Sequence, residues 1–213
     1  MSSYHVPVLA NECIDHLQLR PGGIYVDVTF GGGGHSRLLL ERADNDPILN
    51  APGAEPIKLF GFDQDEDARA NALDDPRFTF VAANFRHLKR YMRLYGITQI
   101  DGLLADLGVS SHQFDQAERG FSFRFDAELD MRMSRTADRS AADIVNNYSA
   151  EDLQAVLGQY GEVRNARTLA NAIVKARETQ GIGTIKDFLA IVEPNVRGQY
   201  NRYLAQVFQA IRI

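Results

Sequence analysis

Short apolar runs alternate with amphipathic stretches over the first half of the chain. Four of these runs are rich in aliphatic and aromatic residues and are bounded by Gly, Pro, Asp or Asn, as buried strands are. They are GIYVDV (23–28), IKLFGFD (57–63), RFTFVAAN (77–84) and IDGLLADLG (100–108). Between them lie three helical candidates, HSRLLLERA (35–43), EDARANALD (66–74) and RHLKRYMRLYG (86–96). Strands separated by helices predict an α/β fold, with a parallel sheet covered by helices on both faces.

The strand pattern stops near residue 112, and the rest of the chain has the periodicity of helices. The helical segments are SAADIVNNY, SAEDLQAVLGQYG, RNARTLANAIVKARET, TIKDFLAIVEP and YNRYLAQVFQAIRI. Ser140, Ser149 and Thr184 each precede such a segment and are predicted N-caps. The sequence therefore predicts an α/β domain over residues 1–111 and an all-helical subdomain over residues 112–213.

The composition is that of a globular protein. A chain of 213 residues with 45% hydrophobic content can bury one core domain and a smaller satellite. No apolar run approaches the length of a membrane helix, and the first residues lack a signal-peptide pattern, so we expect a cytoplasmic protein without a membrane partner. The single cysteine, Cys13, shares a helical face with Leu9, Ile14 and Leu17, which favours a buried thiol over a catalytic one.

Charge is unevenly distributed along the chain. The net charge is −5, but residues 1–111 contain 10 basic and 15 acidic residues, whereas residues 112–213 contain 13 of each. A nucleic-acid partner would therefore need a local basic patch. Two stripes with helical spacing are available, and each is either an RNA-binding surface or a solvated helix face. They comprise Arg86, Lys89, Arg90 and Arg93, and Arg164, Arg167 and Lys175.

The most distinctive local feature is VDVTFGGGGHS (26–36), in which a predicted strand runs into four glycines and then into a helix that starts near His35. Glycines at such a junction let a nucleotide-like ligand touch the backbone, and the helix N-terminus faces the ligand. A simple tight turn is the alternative interpretation. Gly31 and Gly33 fit the dinucleotide motif G-x-G-x-x-G, but its third glycine falls on Ser36.

Two carboxylates end predicted strands beside this turn. Asp63 ends the second strand, where an acid accepts hydrogen bonds from ribose hydroxyls. Asp63, Asp65, Glu66 and Asp67 also lie where acids favour the start of a helix, and both roles can hold. Asp106 ends the fourth strand, at the edge where open α/β sheets bind ligands. An S-adenosylmethionine site uses this arrangement without the third glycine. An NAD-dependent oxidoreductase is the alternative, since it would use the same turn and the same Asp63.

Five motifs together resemble a known family. HVPVLANE, VDVTFGGGGHS, DLGVSSHQFD, ERGFSF and LDMRM occur in this order and are similar to those of the bacterial methyltransferases that modify the exocyclic N4 of a cytosine in small-subunit ribosomal RNA, the RsmH or MraW family. The resemblance extends from about residue 5 to the end. It implies a Rossmann-like class I methyltransferase core that binds S-adenosylmethionine, with a helical insertion that recognises RNA.

The resemblance also implies the site residues and the partners. The partner would be small-subunit ribosomal RNA or the 30S subunit, a homodimer is left open, and no metal ion is expected. Each assignment has a plainer alternative: His35 could pack at its helix start, Phe85 could belong to the core, and Gln113 could be a solvated loop residue. The implied cofactor contacts are Gly33, Gly34, His35, Asp63, Phe85, Asp106 and Gln113.

Asp106 is the candidate catalytic residue. Many amino-methyltransferases place an Asp or Asn followed by two prolines and an aromatic residue at the fourth strand, whereas this chain has Asp106, Leu107, Gly108 and Val109. Asp106 could therefore serve the amine, the cofactor, or both.

The resemblance raises an expectation about the end of the chain. In the family, the chain returns to the core after a segment like QVFQAIRI, whereas this sequence ends at Ile213. We therefore expect a sheet that lacks its C-terminal strands, weak cofactor binding and little turnover by this chain alone. A non-catalytic RNA-binding module is the third alternative.

Overall fold

The structure is a computed structural model that describes residues 7–109, 114, 116–134 and 137–212. The chain divides into two compact units, Met1–Gly108 and Val109–Ile213. The first contains the parallel sheet, and the second is built mainly from helices. Within the described part of the chain, no helix is both long enough and apolar enough to cross a membrane.

The predicted parallel sheet is confirmed. Its strands are β1 (Ile24–Asp27), β2 (Lys58–Asp63), β3 (Phe78–Ala82) and β4 (Gly102–Leu104), in the order β3-β2-β1-β4 with every pair parallel. In this register Val26 lies opposite both Phe60 and Leu103. The order is that of one half of a doubly wound sheet, so the unit is a Rossmann-like α/β core.

Helices cover both faces of the sheet because alternate strand residues point to opposite sides. On one face α1 (Ala10–His16) packs against α2 (Gly34–Asn45), and the other face is covered by α3 (Leu88–Leu94). Cys13, on α1, is partly buried against the first core. That core contains Ile14, Tyr25, Leu39, Leu59 and Leu104, and the second contains Val26, Phe60, Phe62, Val81 and Met92.

The predicted helix over residues 66–74 is wrong in type and extent. A 3-10 helix occupies Glu66–Asn71 instead, and Ala68 is its only buried residue. A segment that buries one small side chain has no apolar stripe to hold an α-helix against the sheet. The segment before α3 is likewise a 3-10 helix, Phe85–His87, so the predicted helix 86–96 is shorter than expected.

The second unit has α4 (Ala141–Asn147), α5 (Ala150–Gln159), α6 (Ala166–Arg177), α7 (Ile185–Val192) and α8 (Tyr200–Ile211), with 3-10 helices at Ala117–Arg119 and Glu193–Asn195. The three predicted N-caps are confirmed. Ser140, Ser149 and Thr184 accept hydrogen bonds from the third amide of their helices, and Ser140 and Thr184 form complete capping boxes. The helices share one core that includes Leu153, Leu169, Ile173, Phe188 and Leu204.

The motifs ERGFSF and LDMRM lie against each other in this unit. Arg119 is buried and donates from Nη2 to the carbonyl oxygens of Arg132 at 3.0 Å and Met133 at 3.1 Å. Its own carbonyl accepts the amide of Met131 at 3.1 Å. A buried guanidinium that pairs with main-chain oxygens fixes an irregular segment that helical hydrogen bonds cannot hold.

Candidate functional site

The carboxyl ends of β1, β2 and β4 bring the glycine turn, Asp63 and Asp106 to one edge of the sheet. Two main-chain hydrogen bonds continue the pairing past the strands, from the Val28 amide to the Leu104 carbonyl at 2.9 Å and from the Phe30 amide to the Phe62 carbonyl at 3.0 Å. The loops that follow the strands therefore start from fixed positions.

The glycines of the turn are required for two different reasons. A Cβ on Gly33 would lie 2.8 Å from Cζ of Phe30, and one on Gly34 would lie 2.5 Å from Cγ of Pro7. Gly33 also has φ +73°, in the left-handed region that side chains disfavour. Gly31 has φ +49°, but the nearest atom to its Cβ position is the Thr29 carbonyl oxygen at 3.8 Å. Packing thus requires glycine at 33 and 34, while open space lies over the backbone of Gly31.

Asp63 holds the glycine turn. Its Oδ2 accepts the Gly31 amide and its Oδ1 accepts the Asp65 amide, both at 2.8 Å. Asn71 completes the contact by donating from Nδ2 to the Gly31 carbonyl at 3.0 Å. The side chain that caps the 3-10 helix is that of Asp65, which accepts the Asp67 amide, so among the acids that follow β2 it is Asp65 that serves as the N-cap. Burial raises the pKa of Asp63, and the hydrogen bonds from Asp65 and Gly31 oppose that rise.

Asp27 is a third carboxylate of this edge, and it was not among the residues predicted for the site. Its side chain is 3% exposed and accepts hydrogen bonds from Ser36 Oγ at 2.8 Å and from the Thr29 amide at 3.1 Å. Burial raises the pKa of Asp27, and those hydrogen bonds lower it in part. The sequence signal that could have identified Asp27 is an acid within the apolar run VDV. A buried carboxylate needs hydrogen-bond partners, so its position suggests that such partners lie nearby.

Asp106 is solvent-exposed, and its amide donates to Thr29 Oγ1 at 2.8 Å. Its carboxylate makes no hydrogen bond or ion pair with any residue that the structure describes. His35, the second residue of α2, is buried with Nε2 3.3 Å from the Val8 carbonyl oxygen. Phe85 is 44% exposed, so the alternative that it belongs to the core is wrong. Gln113 lies outside the described residues.

The two basic stripes are solvent-exposed. On α3 the opposite face carries Met92, which is buried, and on α6 the buried face carries Leu169 and Ile173. Across the described ranges, no ion pair with an acidic residue involves any member of either stripe. Their exposed members are Arg86, Lys89, Arg90 and Arg93 before and within α3, and Arg164, Arg167 and Lys175 before and within α6.

Comparison with known proteins decides the family. The profile described as the MraW methylase family matches residues 2–213. The chain belongs to the MraW methylase family. The resemblance noted from the five sequence motifs is thereby confirmed, and the Rossmann-like sheet is the methyltransferase core of this family member.

Three relatives of this chain share the name ribosomal RNA small subunit methyltransferase H. Ribosomal RNA small subunit methyltransferase H of Parabacteroides distasonis is 56% identical over all of this chain and 67% of its own length. The proteins of the same name from Phocaeicola vulgatus and Cytophaga hutchinsonii are 53% and 52% identical, over 99% of this chain and 66% and 68% of their own lengths. The chain thus spans about two thirds of the length of these relatives.

Among solved structures, a proposed methyltransferase from an antibiotic biosynthesis pathway of Anabaena variabilis aligns over 66% of this chain and 52% of its own, with 17% identity and a TM-score of 0.32. A likeness this weak does not bear on the assignment, which rests on the family match and on the sheet order.

Proposed function

We propose that this MraW family chain takes part in S-adenosylmethionine-dependent methylation of the exocyclic N4 of a cytosine in small-subunit ribosomal RNA. The observation that carries the proposal is the meeting of the glycine turn, Asp63 and Asp106 at the carboxyl edge of the sheet, in a chain whose relatives are named ribosomal RNA methyltransferases. Residues 1–111 would bind the cofactor, and the helical residues 112–213 would recognise RNA.

The residues at this edge fit the proposed cofactor. Apart from its chain neighbours, no atom of the described residues lies closer than 3.8 Å to the Cβ position of Gly31, which suits close approach of a ligand without a side chain in between. The carboxylate of Asp63 accepts backbone amides, among them those of Gly31 and Asp65, and a carboxylate has about four acceptor sites, so capacity is left for a ribose hydroxyl. The exposed ring of Phe85 could lie against an adenine. Gly33, Gly34, His35 and Gln113 would complete the contacts that the family resemblance implies.

Asp106 is the proposed catalytic residue. S-adenosylmethionine, when bound, supplies a methyl group on a positively charged sulfur, and the cytosine amine is a poor nucleophile because its lone pair is delocalised into the ring. A carboxylate that is not already hydrogen-bonded within the described structure can accept a hydrogen bond from that amine and stabilise the charge that develops on it. Holding the amine and the methyl group in attack geometry supplies about 7 to 11 kcal/mol of the barrier reduction.

The RNA would be held by the two basic stripes. A cytosine must leave its base stack to reach a pocket at the edge of a sheet, and contacts to the phosphate backbone must hold the strand while it does so. Exposed Arg and Lys side chains without acidic partners are suited to that contact. The competing explanation is a solvated helix face that binds nothing.

Cofactor identity is tested by calorimetric titration of the chain with S-adenosylhomocysteine and, separately, with NAD. We expect binding of the first only, and at least about tenfold weaker binding to the Asp63→Ala variant, because a charge-assisted hydrogen bond is lost. The matched control is Asp101→Asn, an acid that accepts the Ile24 amide at the opposite end of the same sheet, and it should bind normally. Binding of NAD alone would favour the oxidoreductase alternative.

The reaction is tested with a labelled methyl donor and small ribosomal subunits that lack the modification, followed by mass mapping of modified cytosines. The longer relative from Parabacteroides distasonis serves as the positive control. We expect label on the N4 of one cytosine, at a much lower rate for this chain than for the longer relative, and a further loss of at least about tenfold in the Asp106→Asn variant, because one transition-state hydrogen bond is weakened. Unchanged turnover in that variant would remove Asp106 from the mechanism.

RNA contact is tested by reversing two charges of one stripe, as in Lys89→Glu with Arg93→Glu. If the stripe binds phosphates, the salt dependence of RNA affinity should flatten by about one unit of slope for each lost contact. The control reverses Lys58 and Lys186, which are also exposed but lie outside both stripes. An unchanged slope in the stripe variant would favour the solvated-face explanation.

A further inference from the structure

Thr29 joins the ends of β1 and β4 through its side chain. Its Oγ1 accepts the Asp106 amide at 2.8 Å and lies 3.4 Å from Asp27 Oδ1, to which its hydroxyl hydrogen can be donated. Its own amide donates to the same carboxylate oxygen at 3.1 Å. The hydrogen bonds therefore all point one way, from the amide of Asp106 through the hydroxyl of Thr29 to the carboxylate of Asp27.

The far end of this chain of hydrogen bonds is rigid. Asp27 is 3% exposed and also accepts Ser36 Oγ, which lies on α2, at 2.8 Å. A buried carboxylate with three donors cannot turn without leaving some of them unpaired, and that loss is costly inside a protein. Asp27 thus fixes the orientation of the Thr29 hydroxyl, and with it the position at which the Asp106 amide is held.

The other end of this chain of hydrogen bonds, the backbone of Asp106, has few other contacts within the described residues. β4 is three residues long and ends at Leu104, and residues 105–108 are all exposed. The last main-chain bond between the two strands joins Val28 to Leu104, so the bond to Thr29 extends the pairing by a side chain where the backbone pairing stops. A segment with few buried contacts would otherwise open readily.

We propose that Thr29 is a positioning residue that fixes the backbone of Asp106 and thereby aims its carboxylate into the site, a role that rests on the proposed function of Asp106. A threonine suits this role because its β-branched side chain has restricted rotation about χ1. Serine would keep the hydroxyl, whereas valine would keep the shape and lose both the acceptor and the donor.

The first test measures amide hydrogen exchange of Asp106 by NMR in the whole chain, compared with the amide of Val28, which bonds to a main-chain carbonyl. In Thr29→Val the Asp106 amide should exchange about 3- to 10-fold faster, the change expected for loss of one neutral hydrogen bond, and in Thr29→Ser it should stay within about twofold of the native rate. The Val28 amide should change in neither variant. An unchanged Asp106 rate in Thr29→Val overturns the proposal, whether or not the chain is active.

The second test is a double-mutant cycle in methyl transfer with Thr29→Val and Asp106→Asn. If Thr29 acts through Asp106, Thr29→Val should lower kcat at least about fivefold in the native background and less than about twofold in the Asp106→Asn background, with cofactor KM within about twofold. Thr29→Ser should restore most of the rate. Equal losses in both backgrounds would mean a general structural role and would contradict the proposal.

The two tests separate this proposal from the proposed function. If the native chain neither transfers methyl groups nor binds S-adenosylhomocysteine, the proposed function fails, and the exchange rates alone then decide whether Thr29 positions Asp106. If the chain is active but the exchange rate of the Asp106 amide does not respond to Thr29→Val, the proposed function stands and the role of Thr29 is wrong.

Discussion

Acidic residues at the carboxyl edge of the sheet and acidic residues in the helical unit serve opposite purposes. At the ligand-facing edge of the sheet, burial raises the pKa of Asp27 and of Asp63 above the ordinary value. In the helical unit, partners lower the pKa of the acids instead: Arg132 beside Asp130, Ser140 beside Asp143 and Thr184 beside Asp187.

The comparison separates acids that stabilise the fold from acids that the fold has to accommodate. In the helical unit each of these carboxylates caps a helix or pairs with an arginine, so its charge adds to stability. For the carboxylates of the sheet edge, burial disfavours the charged form, and their hydrogen bonds offset this only in part. Groups with strongly shifted pKa values concentrate at functional sites, which is a physical reason to place the site at the sheet edge.

The largest loss of stability is expected from Gly33→Ala, in the glycine turn that Asp63 holds at the sheet edge. The new Cβ meets the Phe30 ring at 2.8 Å in a left-handed backbone conformation, so we expect the free energy of unfolding to fall by about 2 to 4 kcal/mol. The control is Gly53→Ala, which has φ +85° with nothing near its Cβ position and should cost only about 1 kcal/mol. Urea denaturation measures both, and equal losses would show that packing against Phe30 does not restrict the turn.

A smaller effect is expected in the helical unit from Thr184→Ala. The variant loses the capping box of α7 and should be less stable by about 1 kcal/mol. Because the cap belongs to the helical scaffold, the affinity for S-adenosylhomocysteine should not change. Stability is measured by urea denaturation and affinity by calorimetry. A weaker affinity at unchanged stability would break the division between stabilising and functional acids.

The smallest expected signal is a difference in pH dependence. A raised folded-state pKa means that the stability contributed by Asp27 is fully present below its ordinary pKa of 3.8 and is lost as the pH rises through the folded value. The native chain should therefore lose stability relative to Asp27→Asn as the pH rises above about 4. For Asp130, whose pKa is lowered, stability is present above the ordinary pKa and is lost as the pH falls, so Asp130→Asn should give the opposite trend.

Urea denaturation of both variants at a series of pH values between about 3 and 7 measures these trends. The native chain is the reference at each pH, so other titrating groups cancel. Trends of the same sign in the two variants would contradict the contrast between the sheet edge and the helical unit.

Much of the fold could be predicted because its signals are local. The strands are apolar runs bounded by turn residues, and three helices begin directly after Ser140, Ser149 and Thr184. Both signals lie in residues that are close together in the sequence. The wrong helix at residues 66–74 had the right composition but depended on burial, which periodicity alone does not report. Its single buried residue, Ala68, became evident only once the sheet was in place.

The placement of the candidate site was predicted in part for the same reason. The glycine turn, Asp63 and Asp106 each end a recognisable strand, whereas their roles come only from the family resemblance and stay a proposal. The contact between Thr29 and Asp106 joins residues 77 positions apart. The contact that a Cβ on Gly33 would make with Phe30 depends on how that ring packs against Phe78 and Phe80. Such contacts are set by tertiary packing, so they cannot be predicted from a local sequence pattern.

The central claim is that the carboxyl edge of the sheet binds the methyl donor, and a crystal structure of the chain grown with S-adenosylhomocysteine tests it most directly. We predict the ligand against the backbone of Gly31, with its ribose on Asp63 and its sulfur end toward Asp106. A ligand bound elsewhere, or these two carboxylates turned away from it, would contradict the account.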